Sequence, residues 1–183
     1  MILWKDHDAA DGKTYSLGHL HPFAFDHVLS AKGNLPAVTV KVCVYFGLHT
    51  FTRKVMGDSH PKDDYSDNRE TRCFCYERYA QSHRLPTIVR ELPSTRDIFL
   101  SRGLKGIVNY ATFDSGSGGP IYGVYFEMRL FKAAGPNSVL LNIVSAYELE
   151  PNKRDTTEGR ITFNAVISHA ISGTKPKLPA RSR

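Results

Sequence analysis

The segment from Pro36 to Lys54, PAVTVKVCVYFGLHTFTRK, constrains this chain more than any other. Val38, Val40, Val42, Val44, Phe46 and Leu48 alternate with Thr39, Lys41, Cys43, Tyr45 and His49, the period-two pattern of a strand buried on one face. Successive side chains of a strand point to opposite faces, so a register carried past Gly47 sets His49, Phe51 and Arg53 beside Lys41 and Tyr45. An imidazole, a guanidinium, an ammonium and a phenol then share one surface. Such a surface can bind or cleave a phosphodiester, and it can equally be the solvated face of an antiparallel sheet.

The rest of the chain supplies what that strand needs to be buried. After the exposed, polar stretch GDSHPKDDYSDNRE (57–70), the segment TRCFCYERY reads as a short strand passing into a helix over Glu77–His83. TIVREL restarts a helix just after Pro86, and Ser94 or Thr95 is placed to cap a third short helix running to Arg102, with Gly103 as its stop. From Gly106 onward the pattern turns to β: IVNYATF, then a long hairpin of Ile121–Phe131 and Ser138–Leu149 around KAAGPN, then RITFNAVIS with Ile161, Phe163, Ala165 and Ile167 inward. Ahead of the first strand, HLHPFAFDHVL reads as a short strand or irregular segment followed by one helical turn. The expectation is an α+β fold, a mostly antiparallel curved sheet with helices from the middle of the chain, in one domain over 1–172 with a flexible basic tail over 173–183.

A chain of 183 residues with 41% apolar residues is long enough for one well-cored domain. With 24 basic against 18 acidic residues the net charge is +6 and the isoelectric point is near 9.3, a balance that favours polyanionic partners, nucleic acid first among them. Three cysteines, Cys43, Cys73 and Cys75, are too few for a disulfide framework and point to a reducing compartment. No stretch has the apolar length of a signal peptide or a membrane span, so a soluble cytoplasmic protein with no membrane partner is expected.

Candidate chemistry begins with metal. His19 and His21 form an HxH and Cys73 and Cys75 a CxC, but paired zinc cysteines are usually separated by two to four residues; no metal and no cofactor is expected. The glycine-rich DSGSGGP lacks the lysine and following helix of a phosphate loop and reads as a wide hairpin turn. Cys43, inside the strand, has no helix N-terminus to lower its pKa. Histidine with arginine and tyrosine remains. Metal-free RNA cleavage needs a base for the ribose 2′-hydroxyl, an acid for the leaving oxygen and cations for the phosphorane. His21 and His49 are the proton-transfer pair this reading selects; His7, His60 and His169 read as surface residues, His83 as helical and His27 as a core histidine. Arg53 and Arg129 are assigned to phosphate stabilisation, and Thr52 and Tyr147 to its orientation. Lys41, Tyr45 and Tyr125, with Lys175, Lys177 and Arg181 of the tail, are the nucleic-acid-binding candidates. Tyr125, Arg129, Ser145 and Tyr147 can line a groove in which tyrosines stack on unpaired bases, and ordinary sheet packing explains the same tyrosines.

The stretch GVYFEMRLFKAAGPNSVLLNIVSAYELEP followed by RITFNAVISH resembles, in order and composition, small ribonuclease toxins of the barnase, EndoU and colicin type. That resemblance covers 39 of the 183 residues and matches no catalytic motif residue by residue. It implies a metal-independent endoribonuclease, the toxin of a bacterial defence or toxin–antitoxin system, with RNA as substrate and a protein antitoxin or inhibitor as partner. The HTFT and SAYELEP segments are also similar to uncharacterised plasmid- and phage-associated bacterial proteins. The competing reading is a non-catalytic, basic nucleic-acid-binding or inhibitory protein.

Overall fold

Strands with an apolar face build one large mixed sheet around the Val38 segment. The computed structural model describes residues 3–31, 33, 36–95, 98–103, 106–114, 121–149 and 157–176. In chain order the strands are β1 (His7–Asp8), β2 (Thr14–Tyr15), β3 (Phe23–Leu29), β4 (Val38–His49), β5 (Thr52–Arg53), β6 (Asp64–Ser66), β7 (Thr71–Phe74), β8 (Ile98–Gly103), β9 (Gly106–Asp114), β10 (Ile121–Leu130), β11 (Ser138–Glu148) and β12 (Thr157–Ile161). The helices are α1 (Tyr76–Ser82), α2 (Leu85–Glu91) and α3 (Phe163–Ser172).

Seven strands form the main sheet in the order β12-β8-β9-β10-β11-β4-β3, while β5-β7-β6 form a small sheet and β1-β2 a two-stranded ribbon. Every neighbouring pair in the main sheet is antiparallel except β11 with β4. That one parallel pairing sets His49 and the last turn of β11 at the same end of the sheet. The fold is α+β, as the order of elements suggests.

One face of the sheet holds the core. Val40, Val42, Val44, Phe46 and Leu48 of β4, Tyr122, Val124 and Phe126 of β10, and Val139, Leu141, Ile143 and Ala146 of β11 pack with Leu85, Ile88, Val89, Phe163, Val166 and Ile167 from the helices. Removal of this much apolar surface from water is the main force holding helices to sheet. No helix among the described residues is long and apolar enough to cross a membrane.

The structure corrects several sequence expectations. The helical turn at Gly18–Leu20 precedes rather than follows its strand, and Phe23–Leu29 pairs along its whole length with β4. Residues 98–103 form β8 instead of a helix, because hydrogen bonding to β9 and β12 on both sides overrides local capping preference. The strand expected over RITFNAVIS ends at Ile161; Thr162 then caps α3 with its hydroxyl accepting from the Ala165 N–H, and Gly173 closes the helix at φ 66°. Phe163, Val166, Ile167 and Ala170 are its buried, helix-spaced face. The 57–70 stretch contains a 3-10 turn at Pro61–Asp63 and strand β6 rather than loop alone. Residues 115–120, 177–183 and with them most of DSGSGGP, Lys177 and Arg181 lie outside the described residues.

Candidate functional site

The register of β4 carries His49 onto the face of Tyr45, as expected, and breaks at Thr50, so it does not reach Phe51 and Arg53. The chain turns at Leu48–Phe51, where Thr50 donates both its backbone N–H and its hydroxyl to the Gly47 carbonyl, and Phe51 is fully buried against Trp4, Tyr65 and Phe74. The side chain of Arg78, on α1, holds this turn by donating from Nη1 to the carbonyls of His49 (3.1 Å) and Thr52 (2.9 Å). Its guanidinium also lies 4.9 Å from the centre of the Tyr147 ring. Burial lowers the Arg78 pKa, yet a guanidinium so bonded stays charged.

His49 itself faces outward, half exposed. Its Nε2 lies 2.6 Å from Glu70 Oε1, and Glu70 Oε2 accepts from Arg72 Nη1 at 3.4 Å. Arg72 Nε donates in turn to the hydroxyl of Thr52 (3.0 Å), which donates to the Leu48 carbonyl (2.7 Å). Partial burial pushes the Glu70 carboxyl up, but hydrogen bonding and charge from His49 and Arg72 outweigh it and hold the group below its ordinary value. Glu70 is delivered by the turn between β6 and β7: Asp67 Oδ1 accepts from the backbone N–H groups of Arg69 and Glu70, an Asx turn that fixes both residues. Those two bonds and the Arg69 charge overcome burial, and they lower the Asp67 pKa.

A bulge in β11 places the tyrosines. The register with β10 shifts between Tyr125↔Ser145 and Phe126↔Ile143, and the register with β4 shifts at the same point, from Ile143↔Phe46 to Ser145↔His49. Ser145 and Tyr147 therefore do not share a face with Ile143, as strict alternation requires; Ile143 and Ala146 are in the core while Ser145 and Tyr147 join His49 outside. The Tyr125 and Tyr147 rings stack at 5.3 Å. Gly47 makes room for the bulge, because a Cβ there would lie 3.0 Å from the Ile143 carbonyl oxygen and 3.2 Å from that of Val144.

Further along the same face lies a cleft of about 330 Å³ lined by Tyr45, Arg69, Glu127, Arg129, Leu140 and Asn142, with Phe131 at its side. β9 pairs with β10 as far as Phe126, and among the described residues Glu127–Leu130 have no strand partner on that side. Around that edge a second cleft of about 260 Å³ shares Glu127 and Arg129 and adds Asn109, His169 and Lys175.

The predicted site residues thus separate into groups. His49 and Tyr147 meet through Arg78, and Thr52 is near them but fully buried with its hydroxyl committed. Tyr45 and Arg129 share the first cleft; Arg129 and Lys175 share the second. Lys41 is exposed on β4 opposite Asp26. Arg53 lies apart, 3.9 Å from Asp58, in a small cleft with Asp63 and Cys75. His21, exposed ahead of β3, has its Nε2 3.2 Å from the Trp4 carbonyl and shares no hydrogen-bond partner with His49. His7, expected at the surface, is buried against Tyr65 and Phe74, and burial lowers its pKa. His27 is half-buried, with Nε2 2.6 Å from Asn164 Oδ1. The sequence reading missed Glu70, Arg72 and Arg78; only Glu70 carried a signal, as the end of an Asp-rich turn.

The HxH and CxC pairs do not converge. The His19 ring stacks on His83 at 3.8 Å with Nε2 2.7 Å from the Ser82 hydroxyl, whereas Cys73 and Cys75 are buried beside Phe74. Among the described residues no three His, Cys, Asp or Glu side chains are gathered as metal ligands.

The family model of YjaZ matches residues 6–171, from β1 through nearly all of α3. The chain belongs to the YjaZ family. The part matched to YjaZ includes His49, Glu70, Arg78, Tyr147 and the Tyr45 cleft, and stops short of Lys175. No curated protein and no solved structure matches this YjaZ-family chain.

Proposed function

We propose that this protein is a metal-independent endoribonuclease of the cytoplasm, with His49 as its general base. The observation that carries the reading is the 2.6 Å contact of His49 Nε2 with Glu70 Oε1 on a half-exposed surface. An ionised Glu70 accepts the Nε2 proton, which fixes the tautomer and leaves the Nδ1 lone pair as the base. His49 then takes the ribose 2′-hydroxyl proton, the 2′ oxygen attacks phosphorus, and the 5′ oxygen leaves with a proton from water. The products are a 2′,3′-cyclic phosphate and a 5′-hydroxyl. Arg69, whose side chain is 76% exposed, and Arg129 on the same face supply positive charge for the strand. This assignment replaces the His21–His49 pair with a histidine–carboxylate pair.

A second reading, a basic protein that binds nucleic acid without cleaving it, is favoured by a different observation: Thr52 and Arg78 are spent on backbone carbonyls and Arg53 lies beside Asp58. Incubation of the purified chain with total RNA in excess EDTA separates the two. Fragments ending in cyclic phosphate are expected; RNA that is retained but intact supports the second reading.

A further inference from the structure

α3 ends in a turn that fixes the ring of His169. Gly173 takes the left-handed conformation at φ 66°, and the N–H groups of Gly173 and Thr174 both donate to the His169 carbonyl, which folds Thr174 back onto the last helical turn. A chain of hydroxyls runs along that turn. Ser172 Oγ donates to the Ser168 carbonyl at 2.8 Å, Thr174 Oγ1 lies 2.8 Å from Ser172 Oγ, and His169 Nδ1 lies 2.8 Å from Thr174 Oγ1. Each hydroxyl has one proton to give. With that of Ser172 given to the carbonyl, Thr174 donates to Ser172, and His169 Nδ1 donates to Thr174. The neutral ring therefore carries its proton on Nδ1 and leaves Nε2 as a lone-pair acceptor. Nε2 has no partner among the described residues, and it is not closed off from water.

That acceptor borders a cleft opened by a fork in the sheet. β9 leaves β10 after Asn109↔Phe126 but stays paired with β8 as far as Gly103↔Gly106, while β10 runs on beside β11 to Leu130↔Val139. The cleft at the fork, about 260 Å³, is lined by Glu127 and Arg129 of β10 and by His169, Thr174 and Lys175 at the end of α3. Glu127, Arg129 and Lys175 form no ion pair and no side-chain hydrogen bond among the described residues. Two uncommitted cations thus stand beside two uncommitted acceptors, the Glu127 carboxylate and His169 Nε2.

The complement of that set is an anion joined to a hydroxyl. Arg129 and Lys175 attract a phosphate, whereas a carboxylate and a lone pair repel one and bind O–H donors. A sugar phosphate carries both groups a few bonds apart, and a cleft near the lower end of the small-ligand range holds one such unit. We propose that this cleft is a sugar-phosphate site, with the phosphate on Arg129 and Lys175, one hydroxyl donating to His169 Nε2 and a second to Glu127. The cleft does not include His49, so the site stands independently of RNA cleavage. A free sugar phosphate and one unit of an RNA strand share this chemistry.

The experiment titrates the full chain at pH 8 with ribose 5-phosphate, propyl phosphate and ribose, following the His169 ring by NMR, with its signals assigned as those lost in His169→Gln. Before any ligand is added, Nδ1 should be protonated and Nε2 bare; the opposite tautomer overturns the proposal. Ribose 5-phosphate should move the His169 signals and bind about ten-fold tighter than propyl phosphate, which has no hydroxyl, and than ribose, which has no phosphate. His169→Phe should remove most of the advantage over propyl phosphate, and Lys175→Ala should weaken both phosphates by a similar factor. Equal affinity for ribose 5-phosphate and propyl phosphate, an advantage unchanged in His169→Phe, or His169 signals that no ligand moves overturns the site. An RNA oligonucleotide added to the His49→Ala chain loaded with ribose 5-phosphate separates the two sources: displacement supports an RNA unit as the occupant, and retention supports the free sugar phosphate. RNA cleavage by the wild-type chain without binding of either phosphate overturns this site and leaves the ribonuclease reading standing. Sugar-phosphate binding by a chain that leaves RNA intact supports the site and removes the ribonuclease reading.

Discussion

His49 and Glu70 are separated by 21 residues in sequence and by 2.6 Å in space, and the two elements that join them, the turn after β4 and the β6–β7 turn, are each fixed by their own hydrogen bonds. A pair held from both sides is oriented before any ligand arrives, which is what general-base chemistry requires.

His49→Ala should reduce RNA cleavage in EDTA by at least ~100-fold, and Glu70→Gln by about 10- to 100-fold, because the amide still accepts the Nε2 proton but no longer stabilises an imidazolium. Both residues are half exposed, so thermal unfolding should shift little. A large fall in melting temperature for His49→Ala would mark the residue as structural.

Arg78→Ala should destabilise the protein by about 2–4 kcal/mol in denaturant unfolding, since it strips partners from two carbonyls and uncovers the Tyr147 ring. Arg78→Lys should recover only part of this, because an ammonium can donate to the two carbonyls but has no planar face to lie over the Tyr147 ring. Unfolding free energies equal to wild type for both variants would show that the turn holds without it.

Gly47→Val should cost about 1–3 kcal/mol through overpacking against the bulge carbonyls of Ile143 and Val144. The same variant should lower activity more than its stability loss explains, since His49 is carried by that turn. Cleavage rate and denaturation midpoint, measured on the same preparation, give the comparison.

Stability should fall with pH between about 6.5 and 4 through His19. Burial first, then the neighbouring His83, lowers the His19 pKa to about 4, below the unfolded value near 6.5. The unfolded chain therefore binds the proton more readily in this window, so the contribution is complete above pH 6.5 and is lost as pH falls toward 4. Because the ring is only partly buried, the loss should be about 1–2 kcal/mol after solvent screening. His19→Gln should flatten the profile in urea titrations at pH 7, 6 and 5; an identical slope in wild type and variant would count against this assignment.

Local pattern alone determined the strands that carry an apolar face. β4, β10 and β11 were legible because one fully apolar face leaves a period-two trace, and KAAGPN marked the turn between the last two. RITFNAVIS misled because Ile161, Phe163, Ala165 and Ile167 also alternate, although Thr162 and Gly173 carried the cap signals of the helix that forms. β8 was illegible because its stability comes from neighbours distant in sequence, β9 and β12. The sequence likewise held every ingredient of the candidate site: the outward His49, the basic and aromatic face, and the Asp-rich turn ending at Glu70. Tertiary structure alone decided which of them meet. A one-residue bulge in β11 moved Ser145 and Tyr147 to the face of His49, and Arg78 bound the turn after β4 to a helix. The β6–β7 turn brought Arg69 over Tyr45 and Glu70 onto His49, because contacts across tens of residues depend on packing that no local periodicity records.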